Sequence, residues 1–168
     1  CVPKFKAEPA KYIDKMDKAM MDYQLALYPM ETCPVSGETL LSAVDKVHHN
    51  RLVRFCCPSC VSHFEKKPAK YMAKLDKAVI AAQKADYPQE TCVVSGETLG
   101  EHGKPVEYVH ANRLVRFCCP ACVSAFEKEP VKYHEKLNEA YIESQKDSYP
   151  LDTCVVSGGE LGSMGEPV

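Results

Sequence analysis

The chain has 168 residues, 45% hydrophobic and 26% charged, with 21 Lys plus Arg against 23 Asp plus Glu. That composition suits folded globular units. The near-balance of charge gives none of the basic excess by which nucleic acid is bound. No apolar run reaches the ~20 residues that span a bilayer, and no signal peptide is visible.

In chain order, Cys1-Val2, Phe5, Pro9 and Tyr12 match Cys60-Val61, Phe64, Pro68 and Tyr71, so the chain is expected to open inside a repeated unit. Pro9 begins a helix whose Tyr12, Met16, Ala19, Met20 and Tyr23 form an apolar stripe. Tyr28-Pro29 closes it. Cys33-Pro34-Val35-Ser36-Gly37 is turn chemistry. Val47-His48-His49 and Leu52-Val53-Arg54-Phe55 are predicted strands around an Asn50-Arg51 turn, with His48 opposite Val53. Pro58 suits the first turn of a short helix carrying Cys60, Val61 and Phe64. Pro68 ends that helix and starts a longer one, striped with Tyr71, Leu75, Ala78, Val79 and Ala82, which stops near Asp86-Tyr87-Pro88.

The series then repeats. Asn50-Arg51-Leu52-Val53-Arg54-Phe55-Cys56-Cys57-Pro58 returns as Asn112-Arg113-Leu114-Val115-Arg116-Phe117-Cys118-Cys119-Pro120. The offset is 59 from Cys1 to Cys60 and 62 from Cys60 to Cys122, and the three extra residues fall in the loop Gly100 to Lys104. Length variation belongs in loops. The expected organisation is the second half of a unit at 1–28, whole units at 29–87 and 88–149, and the first part of another at 150–168. The expected fold class is α+β: tandem treble-clef-like units, each a Cys turn, a β-hairpin, a short helix and a longer amphipathic helix. Gly165-Glu166-Pro167-Val168 matches Gly103-Lys104-Pro105-Val106, so the chain is expected to be an excerpt of a longer repeat protein.

Each unit is about 60 residues, a size at which a core is thin and a metal or disulfide staple is often needed. The thiols are placed for one. A tetrahedral zinc site takes Cys and His ligands, often two from a tight knuckle and two from elsewhere. Cys33 lies upstream, and Cys57 with Cys60, or Cys56 with Cys60, would form the knuckle. Cys60 sits in a first helical turn, where the helix dipole favours thiolate. On a strand, Cys56 and Cys57 point to opposite faces, so one is expected to be a ligand and the other a spare unless the chain turns at Pro58. His48 and His110 are the repeated histidines.

Cys33, 22 residues, Cys56, three residues, Cys60 resembles the Cys-x(19–22)-Cys-x3-Cys motif of the TRASH domains, proposed to act in heavy-metal trafficking, resistance and sensing. Val53-Arg54-Phe55-Cys56-Cys57-Pro58-Ser59-Cys60 with Phe64, Pro68 and Tyr71 is similar to the related YHS domains. The resemblance covers almost the whole chain. It implies that Cys33, Cys56 and Cys60 are metal ligands, as are Cys92, Cys118 and Cys122. The chain departs from the pattern in two ways. Cys92 and Cys118 are separated by 25 intervening residues in the second unit. Ser36 stands where the YHS pattern has Cys. The fourth ligand is therefore open between Cys57 or Cys119, His48 or His110, and water. Cys1 and Cys154 belong to partial sites at the chain ends.

Soft sulfur donors point to Zn2+, with Cu+ as the alternative, over Mg2+ or Ca2+. The partners expected are a metal ion and neighbouring repeat units or identical chains. The rival reading is a disulfide-stapled module of a bacterial envelope or secreted protein that assembles head to tail into filaments. No enzyme is expected. Cys57-x-x-Cys60 has no βαβ setting, and there is no phosphate loop, metalloprotease His pair or carboxylate dyad.

Overall fold

The computed structural model describes residues 2–163 and 165. The chain runs α1 (Val2–Ala7), α2 (Pro9–Leu25), β1 (Val44–His48), β2 (Arg51–Phe55), α3 (Pro58–Lys66), α4 (Pro68–Gln83), β3 (Val106–His110), β4 (Arg113–Phe117), α5 (Pro120–Lys128) and α6 (Pro130–Lys146). The fold is α+β. Two separate antiparallel hairpins, β1–β2 and β3–β4, are each followed by a short and a long helix. No helix of the described residues is long and apolar enough to cross a membrane.

Proline sets the helix starts. Pro9, Pro58, Pro68, Pro120 and Pro130 each open a helix, where the missing N–H is not needed. The long helix of the first whole unit ends at Gln83, ahead of the expected Asp86-Tyr87-Pro88 stop. Its Lys84 cap is still helical, and Pro88 only enforces the extended chain beyond.

The hairpin register differs from expectation by two residues. His48 faces Arg51, and Val53 faces Lys46. The turn is His49-Asn50, not Asn50-Arg51, with φ of 48° and 61°. A two-residue hairpin turn whose twist matches the strands needs both central residues at positive φ. Ala111 and Asn112 repeat this at 50° and 57°. A shift of two preserves the faces, so Val53 and Phe55 still lie opposite Leu52 and Arg54.

Both faces of each hairpin are used. Val53 and Phe55 pack with Cys33, Cys60, Phe64, Leu75 and Val79 in one core. Val115, Phe117, Phe126, Tyr133 and Leu137 form its counterpart with Cys92, Cys118 and Cys122. Leu52 and Leu114 lie outside these clusters yet are fully buried. They sit where the preceding long helix docks. The α2 stripe has no hairpin of its own before it among the described residues, and Met16 and Tyr23 stay exposed.

A glutamine near the end of α2 and of α4 clamps the next hairpin. Gln83 Nε2 donates to the Asn112 carbonyl at 2.9 Å, and Gln83 Oε1 accepts from the Leu114 N–H at 2.8 Å. Gln24 holds Asn50 and Leu52 in the same way. Tyr28 and Tyr87 then accept the N–H of Arg54 and Arg116. The hairpins also meet each other: Asn112, fully buried, donates to the Leu52 carbonyl at 2.8 Å and accepts from Arg51. The units are thus locked by polar groups that are buried at Gln24 and Asn112 and part-buried elsewhere. Gln83→Ala strands one backbone donor and one acceptor in that seam. The expected cost is about 1–3 kcal/mol, seen as a lower denaturant midpoint with unchanged far-UV circular dichroism.

The second unit has a feature the first lacks. His110 Nδ1 lies 2.9 Å from His134 Nε2, and His134 Nδ1 is buried without a partner. The first unit has Met72 at the matching position. Burial, then the charges of His110 and Arg113, lower the His134 pKa to about 4. Its unfolded value is near 6.5, so the folded state binds the proton less well. Stability is therefore retained above pH 6.5 and lost as pH falls from 6.5 to about 4. The expected loss is about 1–2 kcal/mol after solvent screening. Chemical denaturation of the metal-free protein and of His134→Met at both ends of that window should show the larger loss in the parent, since His110, also lowered by burial, remains in the variant.

Candidate metal centre

The first part of the site is a tight knuckle. Cys33 N–H donates to the Glu38 carbonyl at 2.7 Å, and Gly37 N–H donates to the Cys33 carbonyl at 2.9 Å. A Thr32–Thr39 bridge closes the loop. Gly37 sits at φ +84°, which residues with a Cβ rarely adopt. The turn aims backbone N–H groups of Val35 and Ser36 at the Cys33 sulfur. Residues 92–97 and 154–159 form the same turn.

The second part comes from the strand-to-helix junction. β2 ends at Phe55, and the chain bends through Cys56 and Cys57 before Pro58 starts α3. That bend cancels strand alternation, so the adjacent cysteines do not point apart. Cys56 Sγ lies 3.8 Å from Cys57 Sγ, and each lies 3.7 Å from Cys60 Sγ. In the second unit, Cys118 and Cys119 lie 3.8 and 3.7 Å from Cys122.

The two parts meet. Cys33, Cys56 and Cys60 have their sulfurs within 4.8 Å of one another, and so do Cys92, Cys118 and Cys122. A tetrahedron with Zn–S bonds of about 2.3 Å has edges of about 3.8 Å, the spacing seen between the junction sulfurs. These two three-cysteine clusters can hold a soft metal ion. The longer spacing in the second unit does not disturb them, because its extra residues lie in the loop before β3. None of the nine described cysteines is in a disulfide.

The other candidate ligands stand as follows. Cys57 is not grouped with Cys33, yet its sulfur lies 3.8 Å from Cys56 and 3.7 Å from Cys60, at the edge of the cluster. Cys119 is likewise outside its set. His48 packs edge-on against Phe64 at 5.0 Å, and His110 against Phe126 at 5.3 Å. Neither belongs to a sulfur cluster. Cys154 holds its own knuckle with no second cysteine brought to it among the described residues. Cys1 lies outside the described residues.

The electrostatics split the sulfurs. At Cys33 burial pushes the thiol up. N–H groups of Ser36, Cys56 and Val35, with the Ser36 hydroxyl, outweigh it and bring the pKa to about 6. Cys92 is held at about 7 against its burial, chiefly by Ser95. Cys154 is lowered to about 7 by the Ser157 hydroxyl and nearby N–H groups. Cys60 goes the other way. Burial, then its Cys56 and Cys57 neighbours, raises it to about 12, so the helix-dipole expectation is outweighed. Within each three-sulfur set the knuckle sulfur is the one held towards thiolate. A bound cation deprotonates coordinating thiols outright.

Two oxygen groups complete the surroundings. The Ser36 hydroxyl lies 3.2 Å from Cys56 Sγ, and the Ser95 hydroxyl 3.3 Å from Cys118 Sγ. Glu97 Oε2 lies 3.1 Å from Cys118 Sγ, and that contact, first among several, holds its carboxyl below the usual range. Sequence reasoning missed Glu97, because Glu38 occupies the matching place and nothing in the text of the chain separates them.

No protein-family model matches the chain, and no curated protein or solved structure matches it either.

Proposed function

We propose that the protein is a tandem-repeat, non-catalytic binder of soft metal ions, with one ion per complete unit. Zn2+ is the ion it would take first. The ligands are Cys33, Cys56 and Cys60 in one unit and Cys92, Cys118 and Cys122 in the other. One observation carries the reading: sulfurs 23 to 30 residues apart in sequence converge to within 4.8 Å in both copies. The TRASH/YHS-like spacing supports the same assignment. A structural zinc site is closed by four protein ligands, whereas each cluster here offers three sulfurs and a serine hydroxyl on an exposed residue. That open side suits an ion that is exchanged. Cu+ is the second reading, favoured by the three-sulfur donor set itself.

The test is elemental analysis of protein purified under reducing conditions and offered Zn2+ or Cu+. Two ions per chain are expected, with the thiols of both clusters protected from alkylation. A metal-free chain with all its thiols reactive would overturn the proposal.

A further inference from the structure

We infer that Cys57 and Cys60, and likewise Cys119 and Cys122, are thiol–disulfide exchange pairs whose oxidation takes one sulfur away from the metal cluster. The release of metal rests on the function proposed above. The exchange itself rests on geometry alone.

Cys57 is the N-cap of α3, and Cys60 lies in that nine-residue helix's first turn. Their sulfurs are 3.7 Å apart across one turn of backbone, tied by the Cys60 N–H to Cys57 carbonyl bond at 3.1 Å. Cys119 and Cys122 repeat the arrangement, with sulfurs 3.7 Å apart. A disulfide needs only about 2.05 Å between sulfurs. A rotamer change at Cys57 closes that gap without moving the helix. Exposure divides the roles. Cys60 is 7% exposed and Cys122 8%, whereas Cys57 and Cys119 are half-exposed. Cys57 is not among the three sulfurs grouped with Cys33, and it is the more accessible partner for an incoming oxidant.

The chemistry balances with a low-molecular-weight disulfide as oxidant. The Cys57 thiolate attacks one sulfur of that disulfide. A Cys57 mixed disulfide forms, and one small thiolate leaves. The Cys60 thiolate then attacks the Cys57 sulfur, forming the Cys57–Cys60 bond and expelling the second small thiolate. The two protein thiol protons end on the two small thiols. Two electrons pass from the protein sulfurs to the oxidant. Cys60 is then no longer an anionic donor, and the cluster is reduced to Cys33 and Cys56. Its ion should leave.

Glutathione disulfide added to the zinc-loaded chain tests this. Expected are a mass loss of two hydrogens per complete unit, Cys57–Cys60 and Cys119–Cys122 links in peptide maps, and Zn2+ release to a colorimetric chelator. The double variant Cys57→Ser with Cys119→Ser keeps the three grouped sulfurs of each cluster and should still bind Zn2+. Under oxidant it should release the ion on the order of tenfold more slowly. An unmodified parent, links mapped to Cys56–Cys60, or equal release from the variant would overturn the inference. If the reduced parent binds no ion, the proposed function fails, and the peptide map alone still decides whether the pairs exchange.

Discussion

Cys60→Ser is expected to lower the bound metal from two ions per chain to one and to unfold its unit at temperatures where the other stays folded. Cys60, like Cys33, also belongs to the core, packed with Phe55 and Phe64 and almost fully buried. Serine there removes one of three sulfur ligands. It also puts a hydroxyl among apolar side chains, a cost of about 1–3 kcal/mol. The larger effect is the coupling of binding to folding. A structural zinc ion contributes about 10–16 kcal/mol of apparent free energy in small peptides, and a unit of this size folds with only a few to spare. Losing the ion therefore removes the margin. Calorimetry of the loaded variant should resolve two transitions in place of one. Cys57→Ser is the control, since its sulfur is outside the set, and should leave stoichiometry and melting near the parent's. A Cys60→Ser chain with two ions and one unshifted transition would show that the clusters do not hold the metal.

The unlocked unit should not fall alone. Gln83 at the end of α4 holds the second hairpin, and Asn112 of that hairpin reaches back to Leu52. When the first unit melts, the second loses its clamp and part of the cover over Leu114. Its own transition should shift down by a few degrees. Stability in such arrays is the sum of each repeat and its interface with the next, and here the interface includes the part-buried Gln83 clamp and the buried Asn112–Leu52 bond.

Much of this was legible in the chain. The repeat fixed the unit length, proline marked the helix starts, and the spaced cysteines named both clusters before any coordinates. The core positions Val53, Phe55, Leu75 and Val79 followed from period-2 and helical patterns. Three things were hidden, each for a physical reason. The hairpin turn was misplaced because alanine and histidine at positive φ leave no compositional trace; only Asn50 and Asn112 hint at it. The fate of Cys56 and Cys57 could not follow from strand alternation, since the strand stops one residue before them. The glutamine and tyrosine clamps were invisible because they join backbone groups of the next unit, and a lone Gln at a helix end looks like any solvated residue. His134 belongs with these, as its role depends on His110 across the core.

Ser36→Cys is expected to tighten Zn2+ binding at the first cluster by about a hundredfold or more, equivalent to about 3 kcal/mol. The Ser36 hydroxyl touches Cys56 Sγ at 3.2 Å. It is also among the groups that lower Cys33, and it interacts with Cys60. It is therefore within reach of all three sulfurs, where a fourth donor would complete a tetrahedron. It lies on an exposed residue, behind which Gly37 leaves open space. Cysteine there is close in size to serine and keeps the turn, while a thiolate supplies the fourth soft donor that a hydroxyl does not. An exchangeable three-sulfur site should become a closed one. With Co2+ as a reporter, the variant should show the intense absorption of a four-thiolate tetrahedron, and a chelator should remove the ion far more slowly. Ser36→Ala should move the other way: it keeps the three sulfurs but removes an oxygen that helps hold Cys33 as thiolate, so binding below neutral pH should weaken first. Equal affinity and equal spectra for the parent and Ser36→Cys would mean that the fourth corner of the site lies elsewhere.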